Sequence, residues 1–82
     1  MQINNVDSRT FPALWNDLTK PQQELLGYQL IRKGCTTTRQ TVWNWATGKS
    51  RPATAISRNS VVKVIENSLG IRTYAETLFP AR

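Results

Sequence analysis

A short segment in the middle of the chain, TTTRQTVWNWATGKSRP over residues 36–52, most limits what this sequence can fold into. Thr37 and Thr38 are both placed so that a hydroxyl can accept a hydrogen bond from the first amides of a helix. Gly48 supplies a left-handed stop, and Pro52 keeps the helix from continuing through the connection that follows. We therefore predict one short helix over residues 38–47.

The predicted helix has two different faces. At 100° per residue, one side collects most of the apolar side chains and the other most of the polar ones. The first side carries Thr38, Val42, Trp45 and Ala46. The second carries Gln40, Trp43, Asn44 and Thr47, with Arg39 at the border. We expect the first face to pack against the rest of the chain and the second to stay free.

Start and stop signals divide the segment before this helix into two more. Thr10 can cap a first helix, and Thr19 begins a second. Pro21 then stands in the first turn, and Gln22 is placed as the partner of Thr19 in a capping box. Gly34 ends the second helix because it adopts the left-handed conformation that most residues avoid.

The C-terminal part of the chain predicts two further helices. Ser57 is the expected cap of a fourth helix that ends at Gly70. Thr73 and Glu76 have the spacing of a capping box for a short fifth helix. Since no strand-like alternation appears, we predict an all-α fold, a compact bundle of about five short helices.

Length and composition are those of one small globular domain. A chain of 82 residues can bury one core but not two. Residues 1–9 are polar and predict a flexible N-terminal arm, and residues 10–82 predict a single domain. The sequence has neither a signal peptide nor the roughly 18 consecutive apolar residues of a membrane span. We therefore expect a cytoplasmic protein and no membrane partner.

The residues that most metal and catalytic sites require are missing. The chain has no histidine, and its single cysteine, Cys35, cannot form an internal disulfide. Paired carboxylates and a phosphate-binding glycine motif are also absent, so we predict no catalytic residues, no metal, no cofactor and no small-molecule substrate. Cys35 precedes a helix start, where a dipole can lower a thiol pKa and permit redox sensing, but we favour a small turn residue.

Positive charge is concentrated in the middle of the chain. No acidic residue lies between Glu24 and Glu66, although the whole chain has a formal net charge of +6. This stretch holds seven cations: Arg32, Lys33, Arg39, Lys49, Arg51, Arg58 and Lys63. Such a one-sided excess attracts a polyanion through its phosphates, although basic runs are also often only a solvated face.

The order of elements and the segment TRQTVWNWATGKSRP resemble the XRE family of phage-repressor-like, Cro-type helix-turn-helix proteins, especially its small phage or mobile-element members. The similarity covers roughly residues 10–80. It is sharpest at a row of matching positions: Arg39, Gln40, Thr41, Val42, Trp43, Asn44, Trp45, Gly48 and Lys49 to Pro52. The turn is longer here, because Gly34 precedes Arg39 by five residues and the family spacing is about three.

The resemblance implies a lambda-repressor-like domain that places the helix over residues 38–47 in the major groove of DNA. Arg39 matches O6 and N7 of guanine, and Gln40 or Asn44 can pair with adenine. Trp43 can contact a thymine methyl group or a sugar, or can cover the neighbouring helix instead. For Arg39 the alternative is a surface salt bridge, which its acid-free sequence surroundings disfavour.

Other polar residues are expected to position the helix on the DNA backbone. The predicted phosphate contacts flank the free face: Thr38, Thr47, Lys49, Ser50 and Arg51. The first amides of the second helix, near residues 19–22, are a further expected phosphate site.

These features lead us to expect a sequence-specific double-stranded DNA-binding transcription regulator associated with the nucleoid and without enzymatic activity. Two half-sites would be read by a homodimer or by copies on repeated sites. Leu78 and Phe79 are candidates for the dimer interface, or they complete the monomer core. The alternatives are an architectural or recombination accessory factor of a mobile element, and a protein-interaction adaptor with a helix-turn-helix shape that does not bind DNA.

Overall fold

The computed structural model describes residues 6–80 and folds this stretch into five helices without a strand. The helices are α1 (Phe11–Asp17), α2 (Lys20–Arg32), α3 (Arg39–Ala46), α4 (Ala55–Leu69) and α5 (Ala75–Leu78). α2 packs against α3 and α4, while α1 packs against α3, and α5 against α4. The predicted all-α bundle is confirmed. None of these helices is both long and apolar enough to span a membrane.

Side chains from all five helices meet in one hydrophobic core. Phe11 stacks on Phe79 with ring centroids 5.4 Å apart and lies edge-on to Trp45 at 6.4 Å. Offset and edge-to-face aromatic pairs add to the stabilisation that burial alone provides. Leu78 and Phe79 are only 1% and 5% exposed. Both therefore complete the monomer core, and the expectation that they form a dimer interface is not met.

The first three helices begin at predicted threonine caps, and α2 and α3 end at the predicted glycines. Thr10 caps α1, and Thr19 forms the predicted capping box with Gln22 at the start of α2. Gly34 and Gly48 have φ angles of 82° and 79°. These left-handed conformations allow the amides after α2 and α3 to bond back to the last carbonyls of each helix.

Two predicted caps are wrong. Thr54 rather than Ser57 caps α4, because its hydroxyl accepts a hydrogen bond from the Ser57 amide at 3.1 Å. The helix therefore begins at Ala55, two residues before the predicted cap at Ser57. Thr73 does not cap α5, because its buried hydroxyl donates instead to the backbone oxygen of Asp7 at 3.3 Å.

The segment before α1 is attached to the helical bundle where the structure describes it. Residues 1–5 of the predicted arm lie outside the described residues. The Asp7 amide donates to the Arg72 carbonyl oxygen at 2.8 Å. The Arg9 guanidinium bonds both Asp7 and Asp17, and it holds the pKa of Asp7 below its usual value. Residues 7–9 therefore belong to the packed domain.

Candidate nucleic-acid interface

The inner and outer faces of α3 are separated as the periodicity predicts. The inner side chains are Val42, Trp45 and Ala46, which are 2%, 4% and 5% exposed. Thr38 and Thr47 were predicted as helical residues, but they are the N-cap and the C-cap. Thr38 is also exposed, although it was placed on the packing face. Three apolar side chains thus attach α3 to the core and leave its opposite side uncovered.

The outer face of α3 presents guanidinium, amide and indole groups. The Arg39 side chain is 71% exposed and Trp43 is 54% exposed. Gln40 is exposed, and its amide nitrogen donates to the side-chain oxygen of the half-buried Asn44 at 3.1 Å. Gln40 keeps a carbonyl oxygen and a second N–H, which are the acceptor and donor that an adenine edge requires.

Arg39 forms an ion pair that the sequence surroundings did not indicate. Its Nη2 donates to Oε1 of Glu24 on α2 at 2.8 Å, across a sequence separation of 15 residues. The expectation of acid-free surroundings is therefore wrong, because the packing of α2 against α3 brings this carboxylate close. The two side chains are 71% and 64% exposed. A pair this exposed contributes at most about 1 kcal/mol to stability.

A groove of about 320 Å³ lies between α1, the start of α2 and the start of α3. Aromatic, amide and charged side chains line it: Trp15, Lys20, Gln23, Glu24, Arg39, Gln40 and Trp43. The sequence interpretation missed Lys20, Glu24 and Trp15 as members of this surface. Lys20 is the first residue of α2, directly after the Thr19 cap. Its place beside α3 could have been inferred only by packing the predicted second helix against the predicted third one.

The connection after α3 begins with hydrogen bonds back to that helix. The backbone N–H groups of Lys49 and Ser50 donate to the Asn44 carbonyl oxygen at 2.9 and 3.3 Å. Both side chains are exposed. Lys49 therefore directly follows the C-terminal end of α3 with its side chain open to solvent, as a phosphate contact requires.

Arg51 and Arg58 are engaged with backbone carbonyls of the domain itself. The Arg51 guanidinium donates to the carbonyl oxygens of Phe79 and Pro80, both at 3.1 Å. Arg58 donates to the Pro52 carbonyl oxygen at 2.7 Å. The predicted phosphate contact of Arg51 therefore competes with a structural role, in which this side chain bonds Phe79 and Pro80 to the connection after α3.

Several groups that were predicted to contact phosphate already take part in hydrogen bonds inside the fold. The Thr38 hydroxyl accepts an amide N–H from the first turn of α3. The Thr47 hydroxyl donates to the Trp43 carbonyl oxygen at 3.0 Å, which occupies its only proton. The amides of Thr19 and Gln22 are bonded within the α2 capping box. The Thr47 proton and these two capping-box amides are thus already bonded within the fold, whereas the exposed Lys49 ammonium is a donor suited to phosphate.

Cys35 has the properties of a structural turn residue. Burial raises the pKa of its thiol, which is the opposite of the lowering that a helix dipole would give. Its amide donates to the Leu30 carbonyl oxygen at 2.9 Å as part of the α2 stop. Within residues 6–80, no cluster of cysteine and acidic side chains is able to hold a metal ion.

The candidate interface consists of the outer face of α3, the groove beside it and the Lys49 end of the helix. It combines donors and acceptors on exposed side chains with a helix that is anchored from below. Comparison of the chain with protein-family models, with curated proteins and with solved structures gave no match.

Proposed function

We propose that this chain is a sequence-specific double-stranded DNA-binding transcription regulator that inserts α3 into the major groove. The observation that carries the proposal is the division of α3 into a buried apolar side and an exposed polar side. A helix about 10–12 Å across fits a major groove about 12 Å wide. Only the outer face of α3 would meet base edges in that position.

The side chains of this surface divide into two roles. Arg39 is assigned to guanine, and Gln40 with Asn44 to adenine, while Trp43 contacts a thymine methyl group or a sugar. Lys20 and Lys49, at the start of α2 and beyond the end of α3, are assigned to the phosphates on the two sides of the groove. The first set gives sequence preference, and the second gives affinity that depends on salt.

The partner is double-stranded DNA in the cytoplasm, on the nucleoid. One α3 helix reads only a short sequence, so two copies would occupy half-sites about 34–36 Å apart, as a homodimer or side by side. Since Leu78 and Phe79 are used in the core, any dimer contact involves other residues. The chain itself is proposed to have no enzymatic activity.

Selection of bound sequences from random duplex DNA at about 0.1 M salt tests the proposal. We expect enrichment of a short motif with at least one strongly preferred G·C pair. Retention of all sequences alike, with a steep salt dependence, would favour the architectural alternative and contradict sequence-specific regulation. If the protein retained no duplex DNA at all, the protein-interaction adaptor would be the better hypothesis.

A further inference from the structure

Glu24 introduces a negative charge into a surface that is otherwise basic or neutral. Its carboxylate lies 2.8 Å from Arg39, and it lines the same groove as Lys20, one helical turn earlier on α2. A carboxylate at this position repels phosphate and so weakens binding to any duplex. Affinity alone therefore does not explain an acidic residue here.

Stability does not explain it either. The Glu24 and Arg39 side chains are 64% and 71% exposed. Ion pairs that are so open to solvent are screened and usually contribute less than about 1 kcal/mol. Removing the carboxylate from the folded protein should leave its unfolding temperature nearly unchanged.

The geometry favours an effect on the orientation of the guanidinium. Arginine is a long side chain, and holding it in one geometry costs conformational entropy at the moment of binding. Glu24 lies on α2, and the capping box fixes the start of that helix. The bond from Arg39 to Glu24 therefore restricts the guanidinium before DNA binds. This bond uses one of five N–H donors and leaves enough for the paired acceptors of guanine.

We propose that Glu24 is a positioning residue that makes Arg39 read a base rather than a phosphate. If Arg39 turned to a phosphate, the Glu24 carboxylate would lose its partner and would lie close to the negatively charged phosphate. This repulsion penalises the non-specific complex. The inference rests on the proposed function and specifies how the same site gains sequence preference. Glu24 therefore lowers general affinity and raises discrimination.

A double-mutant cycle tests this role with four proteins: the wild type, Glu24→Gln, Arg39→Ala and the double variant. The probes are the duplex enriched in the selection above and the same duplex with its most strongly preferred G·C pair replaced by A·T. Glu24→Gln should bind the altered duplex more tightly, with a steeper salt dependence. The ratio of the two Kd values should fall by up to about fivefold, since an exposed ion pair is worth at most about 1 kcal/mol. In the Arg39→Ala background the same substitution should leave the ratio unchanged.

Glu66→Gln is the matched control, because Glu66 forms another exposed pair with an arginine, Arg72, at 3.9 Å. It removes the same charge from α4 and should not change the ratio. The proposal is overturned if Glu24→Gln keeps the wild-type ratio, if it acts equally without Arg39, or if the control has the same effect. If the wild type itself shows no preference between duplexes while remaining folded, the proposed function fails, and the role of Glu24 fails with it.

Discussion

Two tryptophans that are separated by one residue on α3 have opposite environments. Trp45 is 4% exposed and lies edge-on to Phe11 and Phe79, with ring centroids 6.4 and 6.1 Å away. Trp43 is 54% exposed and lines the groove beside α2. The difference shows that residue type does not decide the role of a large aromatic here. Position on the helix does, because one face is attached to the core and the other is open.

Replacing the two tryptophans in turn is the most sensitive test of this contrast. Trp45→Ala should lower the free energy of unfolding by about 3–5 kcal/mol, because it leaves a cavity next to two phenylalanine rings. Trp43→Ala should change it by no more than about 0.5 kcal/mol, as is usual for exposed positions. Urea denaturation measures both values. Similar losses for the two variants would mean that the faces of α3 are not divided as described.

The same contrast applies to arginine. Arg39 lies on the open face, and Arg39→Ala should reduce the preference for the selected duplex over a mismatched one by about 1–3 kcal/mol. Arg72→Ala, which removes another exposed arginine paired with a carboxylate, serves as the control and should keep that preference. Titration of both duplexes at fixed salt gives the comparison. Unchanged discrimination in the Arg39 variant would remove this residue from the base-reading set.

Much of the fold was predictable because the signals that set it are local. Thr19 and Gln22 are close in sequence, and so the capping box that starts α2 could be recognised from residue spacing. The inner face of α3 followed from helical periodicity for the same reason. Serine is a slightly better cap than threonine by type, yet Thr54 rather than Ser57 caps α4, and local spacing did not indicate this.

The missed features of the candidate interface involve residues that are distant in sequence. Glu24 reaches Arg39 only because α2 packs against α3. Arg51 bonds the Phe79 and Pro80 carbonyls across sequence separations of 28 and 29 residues. A count of charges along the chain treats both arginines alike. Only the packed fold shows that Arg39 pairs with an exposed carboxylate, whereas Arg51 donates to backbone carbonyls after α5.

Neutralising Lys49 and Arg51 separately sharpens this distinction. Lys49→Ala should reduce the salt dependence of DNA binding by about one unit in log Kd against log salt and leave stability unchanged. Arg51→Ala should lower the free energy of unfolding by about 1 kcal/mol through the loss of two carbonyl contacts, with little change in salt dependence. Kd measured over a salt series, together with urea denaturation, separates the two effects. A reduced salt slope in a fully stable Arg51 variant would restore its predicted phosphate role.

Arg9 completes the comparison of arginines. It bonds Asp7, whose side chain is 18% exposed, whereas the Glu24 partner of Arg39 is 64% exposed. The Arg9 guanidinium lowers the Asp7 pKa, so the ionised carboxylate stabilises the fold above the unfolded pKa of about 3.9. That contribution is lost as pH falls through the lower folded value.

Asp7→Asn should therefore lower the free energy of unfolding by about 1 kcal/mol at pH 7, and this difference should diminish as the pH falls below the unfolded pKa of about 3.9. Asp17→Asn is the control, since Asp17 accepts from the same guanidinium at 2.8 Å but is 61% exposed and should matter less. Urea denaturation over a pH series measures both. A penalty for Asp7→Asn that stays constant down to pH 2 would show that hydrogen-bond geometry, rather than ionisation of Asp7, holds residues 7–9 against the domain.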